Sequence, residues 1–463
     1  MYFNKTTSIF ILYVCFIFGL ILYFLLTPSV IISQYYSVTV SILSLIIIYQ
    51  NSNKFKDWFL WFAVFYFLFY QFGTFLGLIL QLNTTVFLDW DSSFSNYTSI
   101  ESKYISYILS GLGIVFLAVL NLYSRNKEIK PNFETNIKVQ RTAFYLFCTS
   151  AVFVFFNQLS ELKYYNLNGY ATLYTNTSDQ ISYTPFSSLW TNLYYYSYFV
   201  FLVTKPTKIK FFILSTIFIL LTLLDSLKGS RGGLIITIAT LFWYYNIFFK
   251  KSVFLNFKNI LIFITLLFFI IGIKVKREDS KFNIDLIIPI LSQGISTSQW
   301  HLSVFIENRQ LISTNTPFFI APLYFPVKYL LYGNTLIGQN EASILHRDDL
   351  THVMAYTLNK TAYLSGFGMG SSILSEAYQY GLIGFFLILS FFYYTYRFFF
   401  NMNSTRFHFF LLIIIFTQVI FSPRDTVFLN TWSLIKGTLF YLFIFLISSI
   451  KTIIYKNHEI KIK

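Results

Sequence analysis

The chain of 463 residues is 56% hydrophobic and 22% aromatic, with only 11% charged residues and a net charge of +15. No water-soluble domain of this size presents such a composition to solvent without aggregating, so the chain reads as an integral membrane protein. The basic excess does not point to nucleic acid, because it decorates alternate connections between apolar runs.

Runs of the roughly 20 residues that cross a bilayer core fall at 8–26, 29–50, 58–80, 104–123, 142–158, 187–204, 209–226, 233–249, 259–275, 370–396, 407–422 and 427–449, which makes twelve spans. They are continuous rather than alternating, so helices satisfy the backbone and a barrel is disfavoured. The fold class expected is an all-α polytopic membrane protein. The first run lacks a small-residue cleavage site and Leu20–Leu26 leads straight into a second run, so it reads as a retained helix. Cys15 and Cys148 both fall inside spans, which leaves neither a disulfide framework nor a cysteine metal site.

With the N-terminus inside, the inward links carry Lys54 and Lys56, the group Arg125 to Arg141, Lys205 to Lys210, Lys250 to Lys258, Arg397 and Arg406. The outward links 81–103 and 159–186 hold only Lys103 and Lys163, which predicts cytoplasmic termini. From Lys276 to Met369 the chain turns polar and aromatic, with Pro289, Pro317, Pro322 and Pro326 and no clear crossing run. At roughly 95 residues this link far exceeds the usual connection of about 2–8 residues between packed helices. The chain therefore reads as one transmembrane domain, 1–463, with a long extracytoplasmic loop at 276–369 between spans nine and ten. Within it, Ser296–Ile312 has apolar positions that predict an amphipathic helix at the membrane surface.

Two motifs carry chemistry. Lys-Gly-Ser-Arg-Gly-Gly, Lys228 to Gly233, stands on the outward face between spans seven and eight, and Arg424, in Phe421–Phe428, falls on the same face. A guanidinium fork matches phosphate oxygens, while Gly229, Gly232 and Gly233 let backbone amides at a helix start approach an anion. The combination suits a phosphate or diphosphate at the membrane surface; snorkelling for Arg231 and a plain turn for the glycines are the competing readings. The second motif, GFGMGSSILSEAYQYGLIGFFLI from Gly366 to Ile388, places Glu376 inside an apolar run, where a carboxylate is costly and so functional or paired. On a helix, Glu376, Gln379 and Tyr380 would share a face.

Gly-Ser-Arg-Gly-Gly-Leu at the head of span eight, with Gly-Met-Gly-Ser-Ser, Ser-Glu-Ala-Tyr and Tyr-Gly-Leu-Ile-Gly after the long loop, resembles features of the bacterial O-antigen and related polysaccharide polymerases, the Wzy type. The order of these motifs, the late outward loop and the twelve spans resemble that family too. The resemblance implies a bundle like those of the GT-C-type, metal-independent membrane glycosyltransferases that include O-antigen ligases. It implies transfer of a glycan from undecaprenyl diphosphate onto the next undecaprenyl-diphosphate-linked repeat unit, on the periplasmic side of the bacterial inner membrane. The partners implied are the lipid-linked donor and acceptor and the bilayer, without nucleic acid or cofactor; a chain-length regulator protein stays open. No metal is demanded, since Asp89 and Asp91 have no histidine or further carboxylate beside them.

In that chemistry Arg231 and Arg424 would stabilise the leaving diphosphate, helped by Lys228, Arg277 or Arg309. The acceptor hydroxyl needs a base, for which Glu376 and His301 are the candidates, with Glu307 or His346 beside them. An O-antigen ligase would differ only in its acceptor. A lipid-linked oligosaccharide flippase or other transporter suits twelve spans, but transporters often show two similar halves, and here the polar bulk follows span nine alone.

Overall fold

The computed structural model describes residues 4–24, 29–80, 98–124, 129, 131, 133–169, 184–228, 232–249, 297–312, 314, 316–336, 338–402, 405–428 and 431–461. In chain order the helices are α1 (Lys5–Phe24), α2 (Val30–Asn51), α3 (Trp58–Ile79), α4 (Ile100–Tyr123), α5 (Ile137–Asn168), α6 (Ser187–Leu202), α7 (Lys208–Ser226) and α8 (Gly232–Phe248). The inserted segment supplies α9 (Thr297–Asn308), α10 (Ala321–Tyr332), α11 (Glu341–His346), α12 (Leu350–Leu358) and α13 (Lys360–Leu364). Then follow α14 (Ile373–Ala377), α15 (Gly381–Asn401), α16 (Arg406–Val419) and α17 (Thr431–Lys461).

Among the described residues, nine helical stretches are long and apolar enough to cross a membrane; α8 and the stretch Phe318–Tyr332 that holds α10 are shorter apolar helices. Eleven of the twelve expected spans thus coincide with a helix, and the run 259–275 lies outside the described residues. The boundaries follow from local chemistry. Asp57, Ser99, Asn136, Ser372 and Thr405 each cap a helix, their side-chain oxygens accepting from backbone amides two or three residues on. Such caps satisfy donors that neither the helix nor lipid can.

The bundle is organised around α4, which packs on α1, α2, α9 and α15. Gly111 makes the α2 contact close, since a Cβ there would stand 2.6 Å from the Tyr36 ring. Polar side chains stitch α4 to α2 and α3: Ser37 and Ser110 hydroxyls are 2.9 Å apart, Gln71 of α3 donates to Ser110 Oγ at 2.8 Å, and Tyr66 of α3 donates to the Ser110 carbonyl at 2.6 Å. Interhelical hydrogen bonds of this kind replace the hydrophobic drive that lipid does not supply. Gln71 ends a π-helical turn, Phe67–Gln71, that widens the middle of α3. Such bulges are frequent at functional sites.

Two expectations are revised. The 296–312 stretch does form a helix, α9, but it packs against α4, the π turn and α14 instead of lying on a surface. The buried Gln299 donates to Ser106 Oγ at 2.9 Å, and at the exposed end Glu307 accepts from Ser99 Oγ at 2.5 Å and Ser102 Oγ at 2.7 Å. Span ten is broken. A 3₁₀ turn, Tyr378–Tyr380, and Gly381 at φ +73° separate α14 from α15, so Glu376, Gln379 and Tyr380 do not share a face. Glu376 is buried, Tyr380 is exposed, and Gln379 accepts from the Phe318 amide at 2.9 Å.

Candidate functional site at the junction of two cavities

The Gly-Gly end of the first motif meets the Phe421–Phe428 stretch. Gly232, at the head of α8, faces Phe421, and a Cβ there would stand 3.1 Å from that ring. Phe421 packs edge-on against Phe69 of the π turn, with centroids 5.7 Å apart, and the Arg424 guanidinium lies 5.8 Å from the centre of the same Phe69 ring. The Gly-Gly start of α8 and Arg424 therefore share one neighbourhood. Gly229, Arg231 and Arg277 lie outside the described residues.

The second motif enters from the other side. His301 lies over Gly370, whose amide donates to Nε2 at 3.1 Å; a Cβ on Gly370 would come within 2.4 Å of the ring. The small residues of Gly-Met-Gly are explained by this contact. Burial and, secondarily, the Arg424 charge hold the His301 pKa down at about 3, so the imidazole is neutral with its proton on Nδ1. Nδ1 is buried and has no hydrogen-bond partner among the described residues. Glu376 is fully buried; its carboxylate accepts from the Val427 amide at 2.8 Å and from Ser371 Oγ at 3.3 Å. It thereby ties the connection 422–428 to the entrance of α15.

Other expected site residues are committed elsewhere. Lys228 is buried between Glu161 and Asp225, the latter at 2.6 Å. Burial opposes its charge, but the two carboxylates raise its pKa above the usual lysine range. Arg309 is exposed and lies over Tyr378, 5.3 Å from the ring centre. Glu307 accepts from Ser99, the cap of α4, and from Ser102, and the Ser102 and Ser99 hydroxyls hold its carboxyl below the usual range. His346 stacks on Tyr332 with centroids 3.8 Å apart.

Two cavities open beside this core. One, of about 470 Å³, is a chamber between the 321–352 region and α15–α17 that gathers the charged and polar side chains Lys328, His346, Arg347, Asp348, Asp349 and His352 beside apolar ones such as Phe325 and Phe428. Its charges are interlocked. Lys328 meets Asp348 at 2.5 Å, Arg347 reaches His352 Nε2 and the Leu336 carbonyl, and His352 Nδ1 is 2.8 Å from the Tyr363 hydroxyl. The other, of about 420 Å³, is a largely apolar cleft among α6, α8 and α16, with Tyr195, Phe199, Ile236, Leu241, Ile414 and Phe421 in its wall. The cleft also holds Gly233 and, from α17, the cation Lys436.

Gln418, Asp425 and Ser433 line both cavities, so the apolar cleft and the polar chamber share a wall. Asp425 is the carboxylate common to the two. The residue is exposed and part of its surface lines the cavities; desolvation raises its carboxyl to about 6, with Asp349 adding to the shift and the Thr426 amide and Arg424 opposing it. Glu376, His301 and Arg424 line neither cavity; Arg424 stands behind the wall, next to Asp425 in the chain and over Phe69.

Sequence reasoning passed over Asp425, Lys436, Arg347 and His352 as site residues. Lys436 had a usable signal, a lone cation within an apolar run. Asp425 had none beyond standing next to Arg424.

The sequence pattern of the O-antigen polysaccharide polymerase Wzy family matches residues 8–457, nearly the whole chain. No curated protein and no solved structure matches the chain. Members of the Wzy family are glycosyltransferase-type polymerases that act on lipid-linked repeat units in a membrane. With its apolar helices, its paired cavities and a match from residue 8 to residue 457, the chain belongs to the O-antigen polysaccharide polymerase Wzy family and is a multi-pass inner-membrane enzyme.

Proposed function

We propose that the enzyme joins undecaprenyl-diphosphate-linked repeat units on the periplasmic side of the membrane, with the cleaved bond at the boundary of the two cavities. The observation that carries this reading is the wall they share at Gln418, Asp425 and Ser433. A polyprenyl-diphosphate sugar is apolar at one end and polar at the other, with a dianion between. An apolar cleft that adjoins a polar chamber matches that order.

Breaking the bond between the anomeric carbon and the diphosphate builds negative charge on the departing oxygen. Preorganised cations lower that barrier. Arg424 is assigned to the leaving diphosphate together with Arg231, the residue before Gly232 in the sequence, and Lys436 to its approach along the cleft. Amides and dipole at the start of α8 favour the same anion. Because these cations belong to the chain itself, the reaction is assigned as metal-independent.

The test is Arg424→Lys, which keeps charge but loses the planar fork. Purified protein in lipid nanodiscs, given lipid-diphosphate-linked repeat units, should form glycan ladders in the presence of EDTA, and the variant should slow by about a hundredfold. Equal ladders from both proteins would remove Arg424 from the site, and abolition by EDTA would remove metal independence.

A further inference from the structure

A glycosyl transfer needs a group that accepts the proton of the attacking hydroxyl, in a place the substrate reaches. Glu376 and His301 fail the second condition. Glu376 has its oxygens on the Val427 amide and Ser371 hydroxyl, and the His301 imidazole is sealed over Gly370 with its Nε2 occupied. Asp348 and Asp349 face the chamber but are engaged, Asp348 by Lys328 at 2.5 Å and Asp349 as the cap of α12, accepting from the His352 amide at 3.1 Å. Asp425 is placed differently. It lines both the apolar cleft and the polar chamber, and so sits where a lipid-linked sugar passes from tail to glycan. The reacting carbon of such a substrate lies one diphosphate beyond the apolar chain, which brings it to this same boundary.

We propose that Asp425 is the general base of the transferase, accepting the proton of the acceptor hydroxyl. The inference rests on the lipid-linked substrate reading above. In the step, the acceptor oxygen forms a bond to the donor's anomeric carbon as the bond from that carbon to the diphosphate oxygen breaks. The electron pair of the broken bond leaves on the lipid diphosphate, whose charge is assigned to Arg424. The hydroxyl proton passes to the Asp425 carboxylate and from there to water or to the released diphosphate. No oxidant, reductant or further reactant is needed. Glu376 serves this arrangement as a positioning residue, since its bond to the Val427 amide holds the segment that carries Asp425. The charges around the carboxylate are consistent with the role. Arg424 stands next to it in the chain, while Lys436 in the cleft and Asp349 in the chamber share its cavities.

The experiment is a steady-state comparison of wild type, Asp425→Asn, Asp425→Ser and Asp425→Glu in nanodiscs, with lipid-diphosphate-linked repeat units as substrate. Loss of a positioned base costs roughly 10²- to 10⁴-fold. Both uncharged variants should lose kcat by that factor while KM for the lipid-linked donor stays within about threefold. Asp425→Glu, which keeps a carboxylate, should recover part of the rate. Either uncharged variant keeping more than about a third of wild-type kcat, or a loss confined to KM, overturns the assignment. If the wild-type enzyme itself builds no ladder from lipid-linked units, the substrate reading fails and the base assignment falls with it. That outcome is distinct from one in which wild type and variants polymerise alike.

Discussion

Two carboxylates close to the same helix junction, Glu376 at the entrance of α15 and Asp425 between α16 and α17, have opposite situations. Glu376 stands in an apolar run, has no exposed surface and has both oxygens occupied by an amide and a hydroxyl. Asp425 stands in a short connection, open to two cavities. In the sequence the first draws attention, because an intramembrane carboxylate is costly and invites a functional reading. In the fold its cost is offset by hydrogen bonds that join two segments, and the group free to meet substrate is its neighbour. An expensive residue can serve as a strut for a cheaper one.

The largest effect that separates the two should come from Glu376→Leu against Glu376→Gln. Leucine leaves the Val427 amide and Ser371 hydroxyl buried without their acceptor, at about 1–3 kcal/mol for each group. Polymerisation and thermal stability should then fall together. Glutamine still accepts from the Val427 amide, so its rate should drop by less than about tenfold, below the loss expected for a missing base. If Glu376→Gln is as dead as Asp425→Asn while remaining folded, Glu376 is not merely a strut and the comparison fails.

A smaller and oppositely signed effect should appear in stability. The Asp425 pKa is raised in the folded protein, to about 6 from 3.8, so its ionised form opposes folding above pH 6 and this penalty fades as pH falls towards 3.8. Asp425→Asn should therefore raise the melting temperature at pH 7.5 and leave it nearly unchanged at pH 4. An Asn variant that melts lower at pH 7.5 would show that the carboxylate is stabilised in place rather than desolvated.

His301 runs the other way. Its pKa is depressed to about 3 from 6.5, so the neutral ring is fully stabilising above pH 6.5 and that stability is lost as pH falls towards 3. The slope for one such group is about 1.4 kcal/mol per pH unit across that window. His301→Gln should flatten the wild-type decline between pH 6.5 and 5, read as melting temperature in nanodiscs. A variant as acid-sensitive as wild type would assign the decline to His352, whose pKa is also lowered by burial and by Arg347.

Much of the bundle was legible because lipid makes each crossing run announce itself as a continuous apolar stretch. The contact between Gly232 and Phe421 joins two stretches that the sequence sets on one face, while Arg231 lies outside the described residues. The rest depended on which side chains meet across helices. Nothing in Ser296–Ile312 alone says that Gln299 and Glu307 find partners on α4, the contacts that let α9 enter the bundle. Gly381 at φ +73° breaks span ten within a run that reads as uninterrupted. Asp425 could not be told from an ordinary turn residue, since its importance comes from two cavities formed by distant helices.

The central claim is that chemistry occurs where the apolar cleft adjoins the polar chamber, and photo-labelling tests it most directly. A polyprenyl diphosphate with a diazirine on its isoprenoid unit nearest the phosphate should label the cleft wall at 233–241 and 414–421. Excess unlabelled polyprenyl diphosphate should compete, and Lys436→Ala should weaken the labelling. Saturable labelling confined to helices that do not face the cleft, such as α1 and α2, would contradict the account.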